Sequence, residues 1–243
     1  MSEKKQKQIM IDLSKAESYF RGGGMTIINK NFHFLLDKNF MEINKSLASD
    51  DKEEKRIWKN HIFCNFFDNG LHIEGDLVEC GVYKGFSCAV ACNYLNFERY
   101  KNKKLFLFDT WDGIPDDQLD DIRKKYPEMN NKYKSEENLA LVNARFKKFP
   151  NVIKVKGKIP ESFKSISLPD KISFLHLDLN THIGEILALE KLFSRMSKGA
   201  ICLLDDFGET IGKEQMIHEK KWFLERNHYV CEIPTGQAFV IKH

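Results

Sequence analysis

An α/β fold with a mainly parallel sheet is predicted by three observations. Short apolar, β-branched segments alternate with helical stretches from residue 76 to the C-terminus. Four of those segments finish in carboxylates: Glu79, Asp109, Asp178 and the pair Asp205-Asp206. The first, inside GDLVECGVYKG at 75–85, breaks at once into a glycine-bearing turn. Strands alternating with helices build a parallel sheet. Its strands then share one carboxyl edge, where ligands of such folds bind.

The N-terminus, MSEKKQKQ, reads as a solvated tail and residues 1 to about 20 as weakly helical. Gly22-Gly23-Gly24 reads as a flexible break. Helical apolar spacing runs over 32–40 and 57–67, with Ser49-Asp50-Asp51 as a turn and helix cap between them. Residues 1–70 are thus expected to form a helical N-terminal extension or lid over a main domain at 71–243. In that domain strands are predicted at 76–80, 104–109, 151–156, 171–178 and 200–206. A closing pair follows at 229–233 and 237–242. Helices are predicted at 136–148, 185–195 and 213–226, and Ser87 as the N-cap of the helix after the glycine turn. The polar stretch 116–135 has little periodicity and is long for a loop, which suggests a mobile lid or acceptor-binding segment.

Composition narrows the function classes. The chain has 243 residues, 42% hydrophobic, with 19 Phe. That suits a large packed domain rather than disorder. A net charge of +3, from 38 basic and 35 acidic residues, gives no global field for nucleic acid. No apolar run reaches the roughly 18 residues a membrane span needs, and no secretory signal is visible. None of the six cysteines forms CxxC. Cys88 and Cys92 share a helix face, where packing or metal ligation is open to them. A reduced, cytoplasmic protein is expected. Oligomeric state is open, a homo-oligomer included.

The turn restricts its ligand. Dinucleotide sites want GxGxxG and phosphate-binding loops want GxxxxGK[ST]; the chain has neither, and its glycines read GxxxG behind Glu79. A carboxylate there repels phosphate but accepts hydrogen bonds from ammonium or hydroxyl groups. A cationic, phosphate-free ligand such as S-adenosylmethionine fits. Asp109 is placed for ribose hydroxyls, and Trp111 with Ile114 either walls an adenine or belongs to the core. Asp178, Asp205 and Asp206 supply hard oxygen ligands suited to magnesium, with Asn180 able to add a carbonyl; a turn or capping pair is the other reading of Asp205-Asp206. His182 has the ordinary pKa of a general base, though a surface or capping role is the commoner one for a lone His near a helix start.

These residues carry a family resemblance. GDLVECGVYKGFS at 75–87, LFDTWDGIP at 107–115, FLHLDLNTHIGEILALEKLFSRMSKGAICLLDDFG at 174–208 and PTGQAFVIK at 234–242 resemble the macrocin O-methyltransferase family of class I S-adenosylmethionine-dependent enzymes. The resemblance implies a Rossmann-like sheet of seven strands with the last antiparallel. It implies O-methylation of a sugar-type small-molecule acceptor, usually with Mg2+. It places Glu79, Gly81 and Asp109 on the cofactor, and Asp178, Asp205 and Asp206 on the metal. The chain departs from the family pattern after the fourth strand, where LDLNTHI replaces LDxDLYE. The expected cofactor pocket comprises Glu79, Gly81, Tyr83, Gly85, Ser87, Asp109, Thr110, Trp111 and Gly157, with Asp178 and His182 as candidate catalytic groups. The alternatives are a noncatalytic relative and an NAD- or sugar-nucleotide-binding Rossmann-like protein.

Overall fold

A computed structural model describes residues 16–243. A hairpin of β1 (Tyr19–Gly22) and β2 (Met25–Ile28) comes first, then α1 (Lys38–Leu47), α2 (Asp51–Glu54) and α3 (Ile57–His72). The main sheet follows as β3 (Asp76–Cys80), α4 (Phe86–Tyr94), β4 (Leu105–Asp109), α5 (Asp121–Lys125), α6 (Glu136–Arg145), β5 (Val152–Lys156) and β6 (Ile172–Leu177). It closes with α7 (His182–Leu192), β7 (Met196–Leu204), α8 (Lys213–Leu224), β8 (Cys231–Glu232) and β9 (Ala238–Ile241).

The sheet has seven strands in the order β5-β4-β3-β6-β7-β9-β8. Strands β3 to β7 pair in parallel and β9 runs antiparallel to β7. β3 and β6 are neighbours where the strand order reverses, so the turn after β3 opens onto that crevice, the usual ligand position of such sheets. Period-2 alternation sorts the strand side chains onto two faces. Leu77, Leu107, Phe174 and Leu203 join Phe63 and Phe67 of α3 in one core. Val78, Phe106, Phe108, Leu175 and Leu204 join Leu189, Leu192 and Phe223 of α7 and α8 in the other. α3 is therefore part of the core: the Phe63 and Phe174 rings meet edge to face at 5.4 Å.

Three expectations change. Gly22 to Gly24 make the tight turn of the β1–β2 hairpin rather than a free break, because Phe20 packs on Trp58 of α3 at 5.2 Å. The region read as a helix at 32–40 splits into a 3-10 turn at His33–Leu36 and α1, whose cap is Asp37 accepting from the Phe40 amide. The polar stretch 116–135 carries 3-10 turns at Asp116–Gln118 and Pro127–Tyr133 around α5, not an irregular loop. The weak helix expected at the extreme N-terminus falls largely outside the described residues. Among the described residues no helix is long and apolar enough to cross a membrane.

Candidate functional site

The carboxyl edge opens into a cleft of about 500 Å³, lined by the loops after β3, β4, β5, β6 and β7 and by α2, Arg56 and residues 132–133. The turn after β3 is shaped by two glycines. Gly81 has φ of +88°, and a Cβ there would lie 2.0 Å from the Asp178 carbonyl. Gly85 has φ of +68° and itself caps α4, so Ser87 lies inside the helix and is not its N-cap. Ser87 still faces the cleft, its hydroxyl donating to Asn60 Oδ1 at 2.8 Å.

Glu79, the penultimate residue of β3, is 4% exposed. Its Oε1 lies 2.8 Å from Nδ1 of His176, its register partner on β6. Its Oε2 is buried without a hydrogen-bond partner. Asp109 Oδ2 accepts from the Val82 and Tyr83 amides at 2.6 and 2.8 Å, and Oδ1 from the Trp111 amide at 2.7 Å. This acid therefore clamps the turn after β3 to the end of β4. Burial nonetheless pushes its pKa up, against those three amides. Thr110 and Gly157 line the cleft beside it. Trp111 is buried in the core, donating Nε1–H to the Tyr83 carbonyl at 3.1 Å, and does not line the cleft.

Tyr83, Trp111 and Asn180, one from each loop after β3, β4 and β6, have positive φ of 51°, 46° and 59°. Such left-handed non-glycine residues cost energy and concentrate at functional loops. Over them lies the end of the 116–135 segment. Tyr133 donates to Asn180 Oδ1 at 2.9 Å and meets the Tyr83 ring edge-on at 5.4 Å. Lys132 stands over the Tyr133 ring, its pKa lowered by burial.

Ligand atoms of Asp178, Asp205 and Asp206 lie within 4.8 Å of one another. Burial and the two neighbouring carboxylates hold Asp178 well above the usual carboxylate range, and burial with Asp205 raises Asp206. Asp178 Oδ1 accepts from Asn180 Nδ2 at 3.0 Å. Asp205 differs. Its Oδ2 is 3.1 Å from Arg56 and 3.4 Å from Lys59, and its Oδ1 accepts from Gln237 Nε2 at 2.8 Å. Lys59, His176 and Arg56 overcome its burial and hold its pKa well below the ordinary value. The donor set is all hard oxygen, and close acids that resist ionisation are what a divalent cation relieves. The cluster fits magnesium, with Asp178 and Asp206 less encumbered and Asp205 shared with two cations.

His176 was missed by sequence reasoning. It sits two residues before Asp178 in a strand otherwise buried and apolar, a signal in itself. Between Glu79 and Asp205 its pKa is pushed up to about 10 despite burial. Arg56, Lys132 and Tyr133, which line the cleft, and Lys59, which pairs with Asp205, were missed too, since nothing local marks them. His182 is corrected in place. It begins α7 outside the cleft lining, stacked on His218 at 4.2 Å and 4.0 Å from Glu214; burial and His218 lower its pKa.

The fold and the glycine-acid edge define the Rossmann-like methyltransferase class. Residues 67–228 match the macrocin O-methyltransferase (TylF) family model, and the chain belongs to that family. It is similar to the mycinamicin III 3''-O-methyltransferase of Micromonospora griseorubida, 22% identical over 143 residues. That match spans 56% of this chain and 56% of the relative's length. Among solved structures, the O-methyltransferase NovP superimposes with a TM-score of 0.65 at 18% identity, over 83% of this chain and 88% of NovP. The calicheamicin methyltransferase CalS11 superimposes with a TM-score of 0.60 at 13% identity, over 88% and 94% of the two chains.

Proposed function

We propose that this protein is an S-adenosylmethionine-dependent O-methyltransferase acting on a hydroxyl of a sugar, sugar nucleotide or glycan or natural-product precursor. The observation that carries this reading is one cleft holding both the phosphate-repelling Glu79–Gly81–Gly85 turn and the Asp178/Asp205/Asp206 cluster. Glu79 Oε2, buried and unpartnered, accepts from the cofactor's ammonium or ribose. Gly81, Tyr83, Gly85, Ser87, Thr110 and Gly157 shape its bed, and Asp109 and Trp111 hold that bed in place from beneath.

The sulfonium carries its own activated methyl group, so the protein must align an acceptor oxygen with it and accept that oxygen's proton. Asp178 is the base of choice. It lines the cleft and, unlike Asp205, has no ion-pair partner among the described residues. Asn180 and Tyr133 fix its loop over the cleft. Asp178, Asp205 and Asp206 would hold magnesium, which when bound supplies Lewis acidity toward acceptor oxygens. Arg56 and Lys59 keep Asp205 ionised whether or not the metal is present. All six cysteines are free thiols, five of them buried, in keeping with a reducing compartment such as the cytoplasm.

Calorimetry with S-adenosylmethionine and NAD, followed by a labelled-methyl screen of sugar nucleotides and glycans with and without magnesium, tests this. Binding of NAD but not of the sulfonium would overturn it. So would sulfonium binding without transfer to any hydroxyl-bearing acceptor.

A further inference from the structure

A second group of ligating side chains lies outside the cleft, where α8 packs on the start of α7. Glu214 and His218 are four residues apart and share one face of α8. His182 faces them from the first position of α7. The His182 and His218 rings stack at 4.2 Å with planes 12° apart. His182 Nδ1 is buried, has no hydrogen-bond partner, and stands 4.0 Å from Glu214 Oε1, beyond hydrogen-bond reach. Its side chain is 15% exposed, so solvent scarcely serves that nitrogen. One ligand atom from each of the three residues lies within 4.8 Å of the other two.

We propose that His182, Glu214 and His218 form a site for a divalent transition metal of the zinc class, distinct from the acid cluster in the cleft. Two imidazoles and one carboxylate are a nitrogen-bearing donor set that zinc, cobalt(II) or nickel favours, whereas the all-oxygen cleft set suits magnesium. A tetrahedral zinc with bonds of about 2.1 Å separates its ligand atoms by roughly 3.4 Å. Reaching that spacing requires the exposed His218 ring to turn out of its stack on His182, and water would take the fourth position. The ion satisfies the orphaned His182 nitrogen. It also ties α8 to the loop that carries Asp178 and Asn180, because His182 directly follows Thr181 of that loop.

The test is a cobalt(II) titration of the full chain saturated with magnesium, followed by visible absorption and by thermal unfolding. One equivalent should bind with four-coordinate ligand-field bands and raise the melting temperature. His218→Ala and Glu214→Gln, both at exposed side chains, should weaken binding at least ~10-fold, because losing even an outer-sphere partner of a metal ligand costs about 10–100-fold. His243→Ala should leave it unchanged; this residue belongs to the other stacked pair, His228–His243 at 4.4 Å. Circular dichroism checks that each variant is folded. Equal cobalt affinity in the parent and in His218→Ala overturns the proposal, as does loss of binding in His243→Ala or an octahedral, all-oxygen spectrum.

Discussion

Nδ1 of His176 lies 2.8 Å from Glu79 Oε1, and its Nε2 lies 3.8 Å from Asp205 Oδ1. One buried imidazole thus joins the acid of the glycine turn to the acid cluster across adjacent strands. Replacing it strands the buried Glu79 carboxylate, while Asp205 keeps Arg56, Lys59 and Gln237. His176→Asn should destabilise the protein by about 3–5 kcal/mol, the usual cost of removing one partner of a buried pair. The pKa of His176 is raised from 6.5 to about 10. Its contribution is therefore complete below pH 6.5 and lost as pH rises through about 10. Urea unfolding of parent and variant in EDTA between those limits should show the gap closing as pH rises; a constant gap would contradict the charge role.

Glu219 is fully buried, and burial raises its pKa from 4.5 to about 7. Both of its oxygens lack a hydrogen-bond partner by geometry. Ionising it costs the folded state, so its effect is absent below pH 4.5 and grows into a penalty as pH rises through about 7. Glu219→Gln should raise the melting temperature at pH 8 and change it little at pH 5. Thermal scans at the two pH values check this.

Arg145 holds the cleft together from the outside. Its guanidinium is 2.7 Å from Glu53 Oε2, with both side chains buried, and it donates to the Lys84 carbonyl at 2.6 Å. Glu53→Gln leaves that cation without its counter-charge and should cost about 3–5 kcal/mol. Because Lys84 belongs to the turn between Gly81 and Gly85, cofactor affinity should weaken with it. Denaturant melts and cofactor calorimetry on one preparation give both values.

The sheet was legible because buried parallel strands read as apolar runs. LFLFD, ISFLHL and AICLL declare themselves without help from the rest of the chain. So were the acids, since each ends its strand. The β1–β2 hairpin was not legible: its stability comes from Phe20 against Trp58, more than thirty residues away, while Gly22 to Gly24 look like a break when read alone. Lys59 and Arg56 hid for a similar reason. At and just inside the start of α3 they look like solvated charges, and only the fold brings them onto Asp205, the residue after β7. His182 misled because its nearness in sequence to Asp178 is undone by the turn at Asn180, which sends α7 away from the cleft.

Asp178, in the same cleft as the glycine turn, is proposed to take the acceptor's proton. The decisive measurement is methyl transfer and S-adenosylhomocysteine binding followed together for Asp178→Ala, with and without EDTA. Turnover should fall by about 10²–10⁴-fold, the usual share of a general base, while the product cofactor binds within a few-fold of the parent. Turnover that survives both the substitution and the chelator would contradict it.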